Sequence, residues 1–192
     1  MVVKSVIGKM AKVLANPRLF WQRYSFDTLS VKDLHGKVFP IVMSAFFAIL
    51  LFGTSLHFMP EPDWGFGRVL VDCIVKCLMY SLSYFLFSYI EYKICSFYDR
   101  GNYTKTSLFV LEVMLPFYLV YSLLAVFPSL IFLAVLFLYS LYVMYFGVVY
   151  FLKINDGATA FFILSTIIVV SGIVVSETLH GVIMDMLAVF FE

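Results

Sequence analysis

Asp72 and Lys76 stand four residues apart in an otherwise apolar stretch, with Tyr80 four residues further on, so a helix places all three on one face. A carboxylate and an ammonium at that spacing either neutralise each other as a structural pair or line a path for an ion or substrate. In the second case Asp72 is the group that titrates and Lys76 tunes it. The structural pair is the simpler reading. Glu112 lies four residues before Pro116, which lacks the N–H that would bond the Glu112 carbonyl, so a kink and a polar pocket are expected there. Glu91, Lys93 and Lys105 are expected at a similar depth as an ion-pair cluster on the cytoplasmic side; used functionally, that cluster is a gate or a phosphorylated-ligand site. Tyr139, Tyr142, Phe146 and Tyr150 recur on one broad helical face, which serves packing or forms a groove for a hydrophobic ligand. Cys73, Cys77 and Ser81, and then Gly172 and Ser176, make small-residue faces suited to close helix contact.

Other chemistry is thin. His57, Glu177 and His180 are the weak candidates for a metal, but nothing in the sequence fixes their mutual distance, and no metal or cofactor is assigned. Cys73 and Cys77 do not form a zinc or redox motif, and Cys95 is remote from them in the chain. There is no His-Glu-x-x-His, no Gly-x-Ser-x-Gly and no phosphate-cradling glycine loop, so the expectation is that the protein is not an enzyme.

The elements that must position these residues follow from composition. The chain of 192 residues is 63% apolar and 13% charged, with a net charge of +1, which leaves too little charge to cover a water-facing surface and no electrostatic footprint for nucleic acid. A helix needs roughly 20 apolar residues to cross a hydrocarbon core of about 30 Å. Five stretches qualify: 38–58, 69–92, 107–127, 129–152 and 158–176, with Pro128 marking a tight hairpin between the third and fourth. The fold class is therefore all-α, a polytopic membrane protein. Residues 1–37 form a basic leader before the transmembrane domain of 38–176, and 177–192 form an apolar tail that docks against the bundle or the outer leaflet.

All Lys and Arg residues except Arg68 and Lys76 fall before the first span or in the second-to-third and fourth-to-fifth connections, which places the N-terminus in the cytoplasm and the C-terminus outside. Asn102-Tyr103-Thr104 is a glycosylation sequon, but it falls on the cytoplasmic side. In the leader, Val3, Val6, Ile7, Met10, Val13 and Leu14 recur at helical spacing opposite Lys4, Lys9 and Lys12. This suits an amphipathic helix on an anionic leaflet, or equally a topology-setting leader packed on the other helices. Phe20, Trp21, Tyr24 and Phe26 among basic residues suggest that the tract from Arg18 to Lys37 lies in the headgroup zone.

The order of segments resembles the Yip1 family of five-span membrane proteins. The resemblance rests on the basic leader with Asn16-Pro17-Arg18-Leu19-Phe20-Trp21 and on Arg100-Gly101-Asn102-Tyr103-Thr104-Lys105-Thr106 before the third span. It also rests on Pro116 and Pro128, and on Tyr139-Ser140-Leu141-Tyr142-Val143-Met144-Tyr145-Phe146-Gly147. Eukaryotic members carry a long cytosolic amino-terminal region and are linked to Rab GTPases and vesicle traffic. This chain lacks that region and looks like a bacterial member, to which the Rab role does not carry over. The resemblance implies a multi-pass protein of the inner membrane.

Two functional readings stand. One is a structural, adaptor or membrane-organising protein, whose partners are the bilayer, anionic lipid at the leader, and a second copy or other membrane proteins. The other is a small oligomeric transporter or channel, with Asp72, Lys76, Tyr80, Glu112, Tyr139 and Tyr142 along its path. Five spans without an internal repeat are few for a secondary transporter, which favours the first. Replacing Lys4, Lys9 and Lys12 by Gln is expected to weaken binding of the isolated leader to anionic vesicles by about fivefold per lysine. Vesicle co-sedimentation that is indifferent to anionic lipid would leave the leader only its role in setting topology.

Overall fold

The structure is a computed structural model that describes residues 12–13, 15–23, 30–58, 65–154 and 157–188. Most of the segment expected to form the leader helix, including Lys4 and Lys9, lies outside the described residues, as do Tyr24 and Phe26. A short helix α1, Pro17–Arg23, begins after Asn16, whose side-chain oxygen accepts from the Leu19 N–H at 3.0 Å and so caps the turn. Ser30 caps the next turn, Val31–Asp33, and a π-helical segment, Leu34–Val38, leads into α2, Phe39–Phe58. The remaining helices are α3 (Phe66–Phe97), α4 (Tyr103–Val126), α5 (Phe137–Phe146) and α6 (Ala158–Ala188). A 3-10 segment, Pro128–Leu136, enters α5 and a π segment, Gly147–Leu152, leaves it. Among the described residues five helical stretches are long and apolar enough to cross a membrane.

Four of the spans are longer than their apolar lengths suggest, and the fourth is shorter, Ala134–Leu152 against the expected 129–152, because the chain after Pro128 starts as a 3-10 segment. α3 begins before Val69 and continues past Tyr92 to Phe97, and α6 runs without a break through Ser176 to Ala188, so the described part of the expected tail is helix. α4 continues through Pro116 as one helix. Asn102 caps its start by accepting from the Lys105 N–H at 3.0 Å, and it ends at Phe127, immediately before Pro128.

α4 is the axis of the bundle, packed against α2, α3 and α5. About 67% of its apolar window is buried inside the protein, against 17% for α6, which touches α3 along its length and leaves most of its surface outward. Exposed Ile163, Ile167, Val170, Val174 and Val175 on α6 are what a lipid-facing helix presents. Around α4 the aromatic rings of Phe46, Tyr80, Phe117, Tyr118 and Tyr121 lie 5.1 to 6.1 Å apart, mostly edge-on or tilted.

Trp21, expected in the headgroup zone, is packed inside the bundle. It is 1% exposed, its indole N–H donates to the Val143 carbonyl of α5 at 3.1 Å, and its ring packs on Phe109 and Phe151. Gly147 makes the space, since a Cβ there would come within 2.5 Å of the Phe109 ring and 3.2 Å of Trp21. The indole is buried because it has found both a cavity and an acceptor within the bundle. Phe20, 9% exposed, is drawn in beside it.

Gly172 does the same for α6, because a side chain there would overlap the Phe87 ring of α3. Gly181, one helical segment further on, faces open space. Gly172→Val is expected to lower stability in detergent by about 1–3 kcal/mol through overpacking, whereas Gly181→Val leaves the melting temperature near that of the parent. Equal effects at the two positions would show that helix propensity, not the α3–α6 contact, is being measured.

Candidate functional site

Polar side chains on α3 recur at 72, 76, 80, 83 and 91, spacings of three, four and eight that keep them on one side of the helix. α6 runs antiparallel to that side, so its polar residues meet them in descending order. Asp72 is 3% exposed, and both its oxygens are bonded: Oδ2 accepts from Lys76 Nζ at 2.9 Å, and Oδ1 lies 2.9 Å from His180 Nε2. Tyr80 donates its hydroxyl to Glu177. The Ser83 hydroxyl donates to the Met79 carbonyl at 2.9 Å and therefore accepts from Ser176 at 2.5 Å. Phe87 then fills the groove over Gly172, and Glu91 accepts from Ser165 at 2.9 Å.

The result is a polar seam of four side-chain pairs between two helices. Moving one carboxylate out of water costs several kcal/mol unless it is neutralised and hydrogen-bonded. Asp72 meets both conditions, with an ammonium on one oxygen and an imidazole on the other. Chemically, the arrangement can hold a charge in apolar surroundings and share protons among imidazole, phenol and carboxylate groups.

Beside the seam, a cleft of about 410 Å³ opens between α2, α4 and the 3-10 segment. Thr54, His57, Lys76 and Tyr121 supply its polar lining, and Leu50, Leu124, Pro128, Ile131 and Phe137 are among its apolar walls. His57 Nε2 donates to the Val126 carbonyl at 2.7 Å, which satisfies one of the acceptors left open at the end of α4.

The other sequence candidates are dispersed. Glu112 is buried on α4 at 6% exposure, and neither it nor Tyr139 nor Tyr142 lines the cleft that holds Lys76. Tyr139 and Tyr142 lie with ring centroids 5.5 Å apart, at the head of a row that continues through Phe146 to Tyr150, and Tyr142 is half exposed. The expected cluster of Glu91, Lys93 and Lys105 does not form: among the described residues no ion pair joins them. Glu91 faces inward to Ser165, Lys93 lies over the Tyr89 and Tyr92 rings, and Lys105 lies over Phe151. Nor do His57, Glu177 and His180 converge, since each bonds a different group, and among the described residues no three His, Cys, Asp or Glu side chains gather as a metal would need.

The sequence reading missed that Glu177 and His180 are the partners of Tyr80 and Asp72. Their spacing did carry a signal, because Ser165, Gly172, Ser176 and His180 follow one another at intervals of seven, four and four, which keep them on one face of a helix. Tyr80→Phe is expected to destabilise the protein by about 1–3 kcal/mol by leaving Glu177 without its donor. A double-mutant cycle with Glu177→Gln, read by thermal unfolding in detergent, should give a coupling of about 1 kcal/mol or more. Additive losses would mean that the two side chains do not act together.

Comparison with known families matches the Yip1 domain over residues 11–177. No curated protein and no solved structure matches the chain. The matched region takes in all five apolar helices up to Glu177 in α6, and with them every position of the seam except His180. The chain is thus an integral membrane protein that belongs to the Yip1 domain family.

Proposed function

We propose that this protein is a structural or adaptor component that organises the membrane around it and recruits partners through its helix faces, without catalytic activity of its own. The observation that carries this reading is the use made of the intramembrane polar groups. Asp72, Lys76, Tyr80, Glu177 and His180 are spent on one another, where they fasten α6 to α3. Groups so engaged serve assembly before they serve transfer. The long outward surface of α6 is then available to lipid, to a second copy or to another membrane protein. The same reading places the protein in a bacterial inner membrane, N-terminus cytoplasmic and C-terminus outside, with anionic lipid as the partner of its leader.

One observation favours the second reading, a small oligomeric transporter or channel. Lys76 and Tyr121 line the open cleft beside the seam, so a polar surface continuous with Asp72 is reachable from outside the bundle. Flux measurements separate the two. Purified protein in sealed liposomes is expected to pass protons and ions no faster than empty liposomes. Asp72→Asn, which leaves Lys76 without a counter-charge, is expected to cost about 3 kcal/mol of stability. Flux in the parent that disappears in folded Asp72→Asn or Glu112→Gln protein would replace the scaffold reading with transport.

A further inference from the structure

One wall of the cleft beside the seam is an unusual stretch of backbone. Pro128–Leu136 is nine residues of 3-10 helix, a conformation in which runs beyond about four residues are uncommon. Side chains three apart eclipse one another in a 3-10 helix, so Pro128, Ile131, Ala134 and Phe137 stand in one straight row, and these four are the residues of this stretch that line the cleft. At about 3.6 residues per turn an α-helix would carry Phe137 about half a turn away from Pro128. The 3-10 winding is therefore what gives the cleft a continuous apolar side, about 18 Å long at a rise of about 2 Å per residue.

The polar lining comes from the other elements: Thr54 and His57 from α2, Lys76 from α3 and Tyr121 from α4. Lys76 Nζ gives one of its three hydrogens to Asp72, which leaves it donors for a further acceptor. Because the Asp72 carboxylate already meets the ammonium charge, the cleft offers hydrogen bonds rather than net charge. Depth adds a second constraint. Lys76 lies ten residues into α3, about 15 Å from the start of that helix at Phe66. A charged headgroup brought so far would lose its water, and an anionic one would also meet Asp72. An uncharged head with acceptor oxygens avoids the second cost and offsets the first with the hydrogen bonds it gains. Ile131, 68% exposed, sets the edge of the apolar row on the outer surface of the bundle, where a hydrocarbon chain can pass into the bilayer.

We infer that this cleft binds a neutral acylglycerol, whose ester and hydroxyl oxygens accept from Lys76 and Thr54 while its acyl chain lies along the row of Pro128, Ile131, Ala134 and Phe137. A volume of about 410 Å³, mostly apolar walls and a few convergent donors are the ordinary make-up of a small-ligand site. The inference does not rest on the scaffold reading or on the transport reading, so its failure would leave both standing.

The test titrates full-length protein in neutral detergent with monooleoylglycerol and reads saturable thermal stabilisation, with oleate and dioleoyl phosphatidylcholine run beside it. Thr54→Val, which removes one hydroxyl at nearly constant shape, should weaken binding of monooleoylglycerol by about fivefold. Ala134→Trp, which fills the cleft from its apolar row, should abolish the saturable shift. Val135→Trp, one residue off the row and 67% exposed, should leave it unchanged. Where Ala134→Trp does not fold, Ile131→Trp blocks the same row from its exposed edge. Oleate or phosphatidylcholine binding as tightly as monooleoylglycerol overturns the proposal. So does a folded Ala134→Trp or Ile131→Trp protein that still binds like the parent, or an equal loss in Val135→Trp.

Discussion

A carboxylate within a membrane-spanning helix has no water to stabilise it, and the placement of Asp72 governs much of this bundle. Both of its oxygens need a donor, and one of those donors must bring positive charge. Lys76 comes from the same helix, one turn away, but His180 comes from α6, so satisfying Asp72 also fixes where α6 lies. Lipid tails are as apolar as leucine side chains, which removes the hydrophobic drive that holds helices together in water. A helix with only 17% of its apolar window inside the protein needs another reason to stay. Directional polar pairs, with a glycine that lets the backbones close in, supply it.

The opposite solution operates around α4. Its neighbours meet it through ring against ring and aliphatic against aliphatic, and most of its side chains are buried from Thr106 to Tyr118. Packing of this kind has no preferred register until the shapes interlock. Two positions provide the interlock. Gly147 admits Trp21, and His57 bonds the last turn of α4 at Val126, so α2, α4 and α5 are fixed against one another at opposite ends.

The five spans were legible because each is an apolar run of the length a bilayer demands, and Pro128 does separate the third from the fourth. Their ends were less legible. Charges served as end markers, which holds only where a charge faces water; Glu177 and His180 are consumed within the bundle, and α6 continues past them. The Asp72–Lys76 contact was visible because it is local. Its third member was hidden because His180 is 108 positions away, and so was the burial of Glu91, whose partner Ser165 is 74 positions away. The burial of Trp21 is hidden for the same reason: aromatic and basic residues together describe a membrane interface by composition, and composition carries no information about a carbonyl on a distant helix.

The Trp21–Val143 hydrogen bond spans 122 positions of sequence, from a seven-residue helix near the start of the chain to the fourth of the five long helices. Its acceptor does not exist until α5 has been synthesised, and its pocket is incomplete until Gly147 and Phe151 have followed. During synthesis α1 must therefore wait through the insertion of three long helices before its indole can be housed. The segment made early cannot reach its final contacts until α5 and the π segment after it are in place.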